Sequence, residues 1–322
     1  MKPSALNPTH LVACLLVGVT AVLLSFGALV TTYEAAMAVP DWPATYGHNM
    51  FLFPMAEWLH GPWDLFLEHG HRLLGATAGL VTLALAAVAW RFGATPAVRW
   101  LSVAAVALVV VQGGLGGARV LLDDKTIAKV HACTGPLFFA VAVAIAALSR
   151  RTPAVASAGG RVPVALLVVS YLQLVAGAQL RHLDAAVDPA TFRGLVGLHI
   201  LGAIAVTVLA VVAAVTLSQD GPPAARRWSK AVVVLVLGQL LLGAGAWVAN
   251  WGVPSGLLPE AWQWSEPLRA RSVWNATVVT GHVVLGMLIL AAAVVLAIRA
   301  GAVSAASVGG QAADTASGRA FA

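Results

Sequence analysis

A chain of 322 residues with 60% hydrophobic side chains, only 10% charged ones and a mean hydropathy of +0.87 lies outside the range of water-soluble domains. Its net charge of +6 gives no basic patch of the kind that binds nucleic acid, because the charges are sorted to alternate ends of apolar runs. What remains is an integral membrane protein.

Runs of about 20 apolar residues, the length that crosses a bilayer core, lie near 11–30, 72–90, 100–118, 128–148, 163–180, 195–217, 230–248 and 275–298. Helices satisfy their own backbone in lipid, and these runs exceed the strands of a barrel. The expected fold is therefore all-α, with eight transmembrane helices. Ala36-Met37-Ala38 resembles a cleavage site, but the apolar run before it is longer than a signal core and counts as the first span. Eleven bases fall at one set of span ends with only Asp220 and Asp314, whereas eight bases share the other set with eleven acids. By the positive-inside rule both termini are cytoplasmic. Eight of the eleven tryptophans lie on the outer side, as an interfacial belt and in outer loops. Cys14 and Cys133 belong at opposite ends of their spans, too far apart for a disulfide.

In chain order, a short tail leads into span 1 and then into a long outer loop, from about Thr31 to Gly70. Within it Val39-Pro40-Asp41-Trp42-Pro43 is stiffened by its prolines. The stretch from Met55 to Leu67 has the mixed apolar and acidic character of an interfacial helix, a lid over the adjoining spans. Residues 1–152 form a first four-helix bundle, 153–162 a cytoplasmic linker of Pro, Ser, Ala and Gly, 163–300 a second bundle, and 301–322 a disordered cytoplasmic tail. The halves read as a parallel repeat. Gln112 to Gly116 on span 3 matches Gln239 to Gly243 on span 7, and His71, His131 and His282 each precede a glycine by four residues. His199 precedes Gly202 by three, so the repeat is imperfect.

The chemistry lies in four of the nine histidines. His71, His131, His199 and His282 sit one each on spans 2, 4, 6 and 8, near the outer ends. Two per bundle at similar depth is the arrangement for two axial imidazoles on one haem iron. Zinc is disfavoured because no third ligand is evident beside the pair in the second bundle. Of the others, His10, His48, His60 and His182 read as solvated or locally hydrogen-bonded groups, and His69, two residues before His71, points elsewhere on a helix. Glu68 shares a helix face with His71 at a spacing of three, and is placed to transfer a proton at the edge of the first site. No carboxylate precedes the other three histidines in this way. Arg72 is a candidate partner for a haem propionate.

Glu68-x-x-His71-Arg72, the Val39-Pro40-Asp41-Trp42-Pro43 loop, and His131, His199 and His282 on alternate spans resemble the haem A synthase family over nearly the whole chain to about residue 300. The resemblance implies an oxidoreductase of the bacterial cytoplasmic membrane that converts a ring methyl of haem O to the formyl group of haem A by successive hydroxylations, for terminal oxidase biogenesis. It implies a substrate haem O between His71 and His131 with Glu68 catalytic, and a haem b between His199 and His282. Haem O synthase, oxidase assembly factors, and a quinone or another electron acceptor are the partners it brings in, and homo-oligomerisation stays open. Many bacterial members carry an outer-loop cysteine pair that this sequence lacks. The alternative is a non-catalytic dihaem b-type membrane electron-transfer protein. A transporter is disfavoured by spans without breaks or midplane charge.

Overall fold

The computed structural model describes residues 7–150, 160–183, 186–253 and 272–301, and among them the chain is helical apart from turns and one isolated bridge between Thr45 and His48. Most of the expected linker 153–162 and nearly all of the tail 301–322 lie outside the described residues. Nine helices are described: α1 (Pro8–Thr32), α2 (Met55–His60), α3 (Trp63–Arg91), α4 (Pro96–Leu122), α5 (Lys125–Ser149), α6 (Val162–Arg181), α7 (Pro189–Asp220), α8 (Pro223–Trp251) and α9 (Val273–Arg299). All except the six-residue α2 are long and apolar enough to cross a membrane.

Helix starts are written locally. Asn7, Asp124, Asp188 and Ser272 each accept a hydrogen bond from a backbone N–H in the first turn, and prolines at 8, 96, 189 and 223 occupy positions that need no donor. Short connections at 92–95, 123–124 and 221–222 make consecutive long helices antiparallel. Large apolar side chains such as Leu80, Val110, Val208, Val215, Val234 and Leu241 face outward, as a lipid-facing surface requires.

Helices α1, α3, α4 and α5 pack around one another, as do α6, α7, α8 and α9; α9 also packs on α1 and α5, and α5 on α6. The two principal cores fill the same end of the molecule. In the first group Ala13, Leu16, Leu85, Ala89, Val98, Phe138 and Ile145 interlock, and in the second Leu166, Ala210, Leu217, Val232, Ile289 and Leu296 do so. The opposite end, where α3, α5, α7 and α9 begin, is therefore free to carry polar groups. It is called the loop end below, after residues 33–62.

The long loop differs from its expected outline. Gly61 and Pro62 break the stretch from Met55 to Leu67 into α2 and the first turns of α3, so Glu68, His69 and Gly70 are helical rather than part of the loop. Helix formation there puts Leu65, Leu67, Glu68 and His69 into buried positions. His69 points away from His71: its Nδ1 lies 3.0 Å from Thr45 Oγ1, and its ring contacts Trp58 and Phe53. Cys14 and Cys133 are both free thiols.

Candidate functional site

The four histidines lie about two to three helical turns from the loop-end starts of α3, α5, α7 and α9. They meet in pairs. His71 faces His131 with ring centroids 6.4 Å apart and planes at 85°, and His199 faces His282 at 6.2 Å and 69°. Two imidazoles that each reach a shared metal through a bond of about 2 Å have centroids a little over 6 Å apart, so both separations suit one ion between the rings. Among the described residues no group of three or more His, Cys, Asp or Glu could hold a bare metal ion. The donor sets fit a metal whose remaining ligands arrive with it, as in a haem.

Each ring lies over a glycine of the neighbouring helix. A Cβ would come to 3.0 Å from His71 Cε1 at Gly27, 3.3 Å from His131 at Gly116, 3.2 Å from His199 at Gly177, and 3.0 Å from His282 at Gly243. These glycines belong to α1, α4, α6 and α8, so every histidine helix is backed by a helix without one of the four histidines. Glutamines set the depth. The Gln112 amide donates to the His131 carbonyl at 3.2 Å and its oxygen accepts from Thr134 at 2.6 Å, while the Gln173 amide donates to the His199 carbonyl at 2.8 Å. The Gln239 amide nitrogen lies 3.4 Å from His282 Nε2. On α1 the corresponding position is Leu23, whose carbonyl accepts from His71 Nδ1 at 3.2 Å. Because a carbonyl only accepts, that bond leaves the His71 Nε2 lone pair free to ligate. Nδ1 of His131 and of His282 is buried without a partner.

Among the described residues the buried carboxylate beside a histidine pair is Glu68, next to the first pair and 1% exposed. Its Oε2 accepts from the Val39 N–H at 2.9 Å, and its Oε1 pairs with Arg72 at 2.9 Å and with Arg119 at 4.0 Å. Arg72, expected as a partner for a propionate, is engaged within the protein. Its terminal nitrogens donate to the carbonyls of Val39 (2.6 Å), Asp41 (2.6 Å) and Ala44 (3.0 Å) as well as to Glu68, so the guanidinium clamps the loop. The loop then lays Trp42 against Gly117, next to the glycine that backs His131; a Cβ at Gly117 would strike the indole. Sequence reasoning found Glu68 and Arg72 but missed this shared hold on the loop, because only the fold brings Val39 within reach.

Asp41 closes the loop on itself, accepting from the N–H groups of Tyr46 (2.9 Å) and Gly47 (2.8 Å). Burial works against the charge, yet these donors and Arg72 hold its carboxyl below the usual range. A lowered pKa means a stabilisation fully present above the ordinary carboxylate value of about 4 and lost as pH falls below it. Amide hydrogen exchange at Tyr46 and Gly47, corrected for intrinsic rate, is expected to accelerate through that acidic window, and in Asp41→Ala at all pH values. Unchanged protection in Asp41→Ala would remove the carboxylate from the loop's support.

The geometry is matched by kinship. Residues 9–197, more than half of the chain and inclusive of Glu68, His71, Arg72 and His131, match the COX15-CtaA model, described as cytochrome oxidase assembly protein. The chain belongs to that family. A heme A synthase of Shouchella clausii is 29% identical over 179 residues, 52% of this chain and 57% of the relative. One from Alkalihalophilus pseudofirmus is 28% identical over 253 residues, 70% of this chain and 82% of the relative. A protoheme IX farnesyltransferase of Halobacterium salinarum is 32% identical over 126 residues, 38% of this chain and 27% of that protein. The match to the first of these thus spans little more than half of that relative's own length.

Proposed function

We propose that this COX15-CtaA family member is a haem A synthase, an oxidoreductase that converts a ring methyl of haem O to the formyl group of haem A by successive hydroxylations. The observation that carries the reading is the asymmetry between two otherwise matched histidine pairs. Both pairs are spaced for a haem iron, and among the described residues only His71 and His131 have a buried carboxylate beside them. Haem O is the substrate at that pair, and His199 and His282 would hold a haem b. The haem b supplies one-electron redox chemistry when bound.

The residues of the chain do the rest. His71 and His131 orient the substrate. Glu68, three residues before His71, takes protons released at the oxidised carbon. Arg72 holds residues 39–44 over Glu68, and Trp42 on Gly117 narrows the way in for water. The sorting of charge supports a multi-pass protein of the bacterial cytoplasmic membrane with both termini cytoplasmic. The two groups of four helices, with glutamine and glycine at matching places, support a duplicated bundle. Written with water as the source of the oxygen atom, conversion of CH3 to CHO releases four electrons and four protons, so a haem O synthase must precede this step and an electron acceptor, quinone or other, must take up the electrons.

Expression with and without a haem O synthase, followed by chromatography and mass analysis of extracted haems, tests the reading. Haem A with haem b is the expected result. Haem b alone in the presence of abundant haem O would favour a non-catalytic dihaem electron-transfer protein, a reading drawn from the commitment of Glu68 to Val39 and Arg72.

A further inference from the structure

Arg181 ends α6 at the loop end, one turn beyond Gly177, the glycine that backs His199. It lies at the seam between the two groups of helices. Its Nη2 donates to the Ala28 carbonyl and to Thr32 Oγ1, both at 3.0 Å and both on α1, while Thr32 in turn lies 3.4 Å from Thr280 on α9, two residues before His282. Its Nη1 is buried and has no hydrogen-bond partner. Among the described residues no carboxylate pairs with it, whereas Arg72 and Arg119, beside the first histidine pair, have Glu68 at 2.9 and 4.0 Å.

A buried guanidinium donor without an acceptor costs free energy that a bound anion would recover. The surroundings select for negative charge. Arg181, Arg119 and Lys129 all act on His182, whose imidazole is held down to about 4 by burial and by these three cations, so it adds no charge of its own at neutral pH. Three cations from α4, α5 and α6 thus act at the seam. The polar edge of a porphyrin held between His199 and His282 offers the matching chemistry, because its propionates are carboxylates and a guanidinium presents a planar pair of donors.

We propose that Arg181 is the carboxylate-recognition residue of the second site, donating from Nη1 to a propionate of the porphyrin that His199 and His282 hold. The inference rests on the reading that this pair binds haem, and the test separates the two. Full-length protein in detergent, with His71→Ala so that the first pair cannot form, is titrated with haem b and with haem b dimethyl ester, which keeps the iron and the ring but has no carboxylate. Both ligands are expected to give a bis-imidazole absorption spectrum, with the ester bound about tenfold or more weaker. Arg181→Gln is expected to abolish this preference and to lower the reduction midpoint of the bound haem, since a nearby cation favours the reduced, less positive iron. Arg181→Lys is expected to restore the midpoint and part of the preference.

Equal binding of haem b and its ester by the Arg181-containing protein, which requires no folding of an Arg181 variant, would overturn the inference while leaving the haem site standing. A preference that persists in Arg181→Gln would overturn it as well. Absence of a bis-imidazole spectrum with either ligand would overturn the haem reading itself.

Discussion

Glu68→Ala is expected to retain haem in both sites and to form no formyl product, a loss of at least about a hundredfold given the usual weight of a positioned proton acceptor. The structure complicates the alanine result in a useful way. Removing the carboxylate also leaves the Val39 N–H without its acceptor and takes a partner from Arg72. A buried donor left unpaired costs about 1–3 kcal/mol, enough to loosen residues 39–44 even if proton transfer were irrelevant. Glu68→Gln separates the two effects. Its side-chain oxygen can still accept from Val39, and Arg72, though it loses the carboxylate, keeps its three loop carbonyls to seat the loop, but the amide cannot take a proton. If the glutamine variant forms no product while hydrogen exchange at residues 39–47 stays slow, proton transfer is the function of Glu68. If it makes haem A at the normal rate, Glu68 only anchors the loop and its assignment as the catalytic group fails.

The reach of the sequence can be judged residue by residue. Spans were legible because lipid forces apolar length and satisfied backbone on every crossing helix, and those two demands are written in composition alone. The histidines were legible because an imidazole inside such a run stands out against it, and their alternation over four spans made pairing an expectation. The Gln to Gly spacing on α4 and α8 was visible too, although its purpose was not. Only in three dimensions do Gly116 and Gly243 lie beneath an imidazole. Gly27 and Arg181 carried no signal at all, since each depends on what a helix from elsewhere in the chain places against it. Arg72 shows the limit most plainly. Its charge and position pointed to an anion, and one partner is an anion, but the other three are loop carbonyls whose convergence no local pattern encodes.

The matched pairs predict opposite losses when either is broken. In His71→Ala the substrate site is expected to lose haem O while haem b remains, and in His282→Ala haem b is expected to be lost while haem O still copurifies; product formation falls at least about a hundredfold in both, because chemistry needs both groups in place. Deleting a ligand is a blunt test, and the glycine behind it offers a finer one. At Gly243 even a Cβ would stand 3.0 Å from His282 Cε1, and the γ-methyls of Gly243→Val extend further toward the ring. The imidazole must then rotate or retreat, since a well-packed helix pair has no slack of that size. With every ligand still present, Gly243→Val is expected to show the His282→Ala signature: loss of the second bis-imidazole spectrum, an intact first site and little haem A. The same replacement at Gly245, which faces Val278 rather than a histidine, serves as the packing control and is expected to leave the second haem bound. Haem A formed at the normal rate by Gly243→Val protein whose second site is empty would remove haem b from the reaction and leave the second pair without a catalytic purpose.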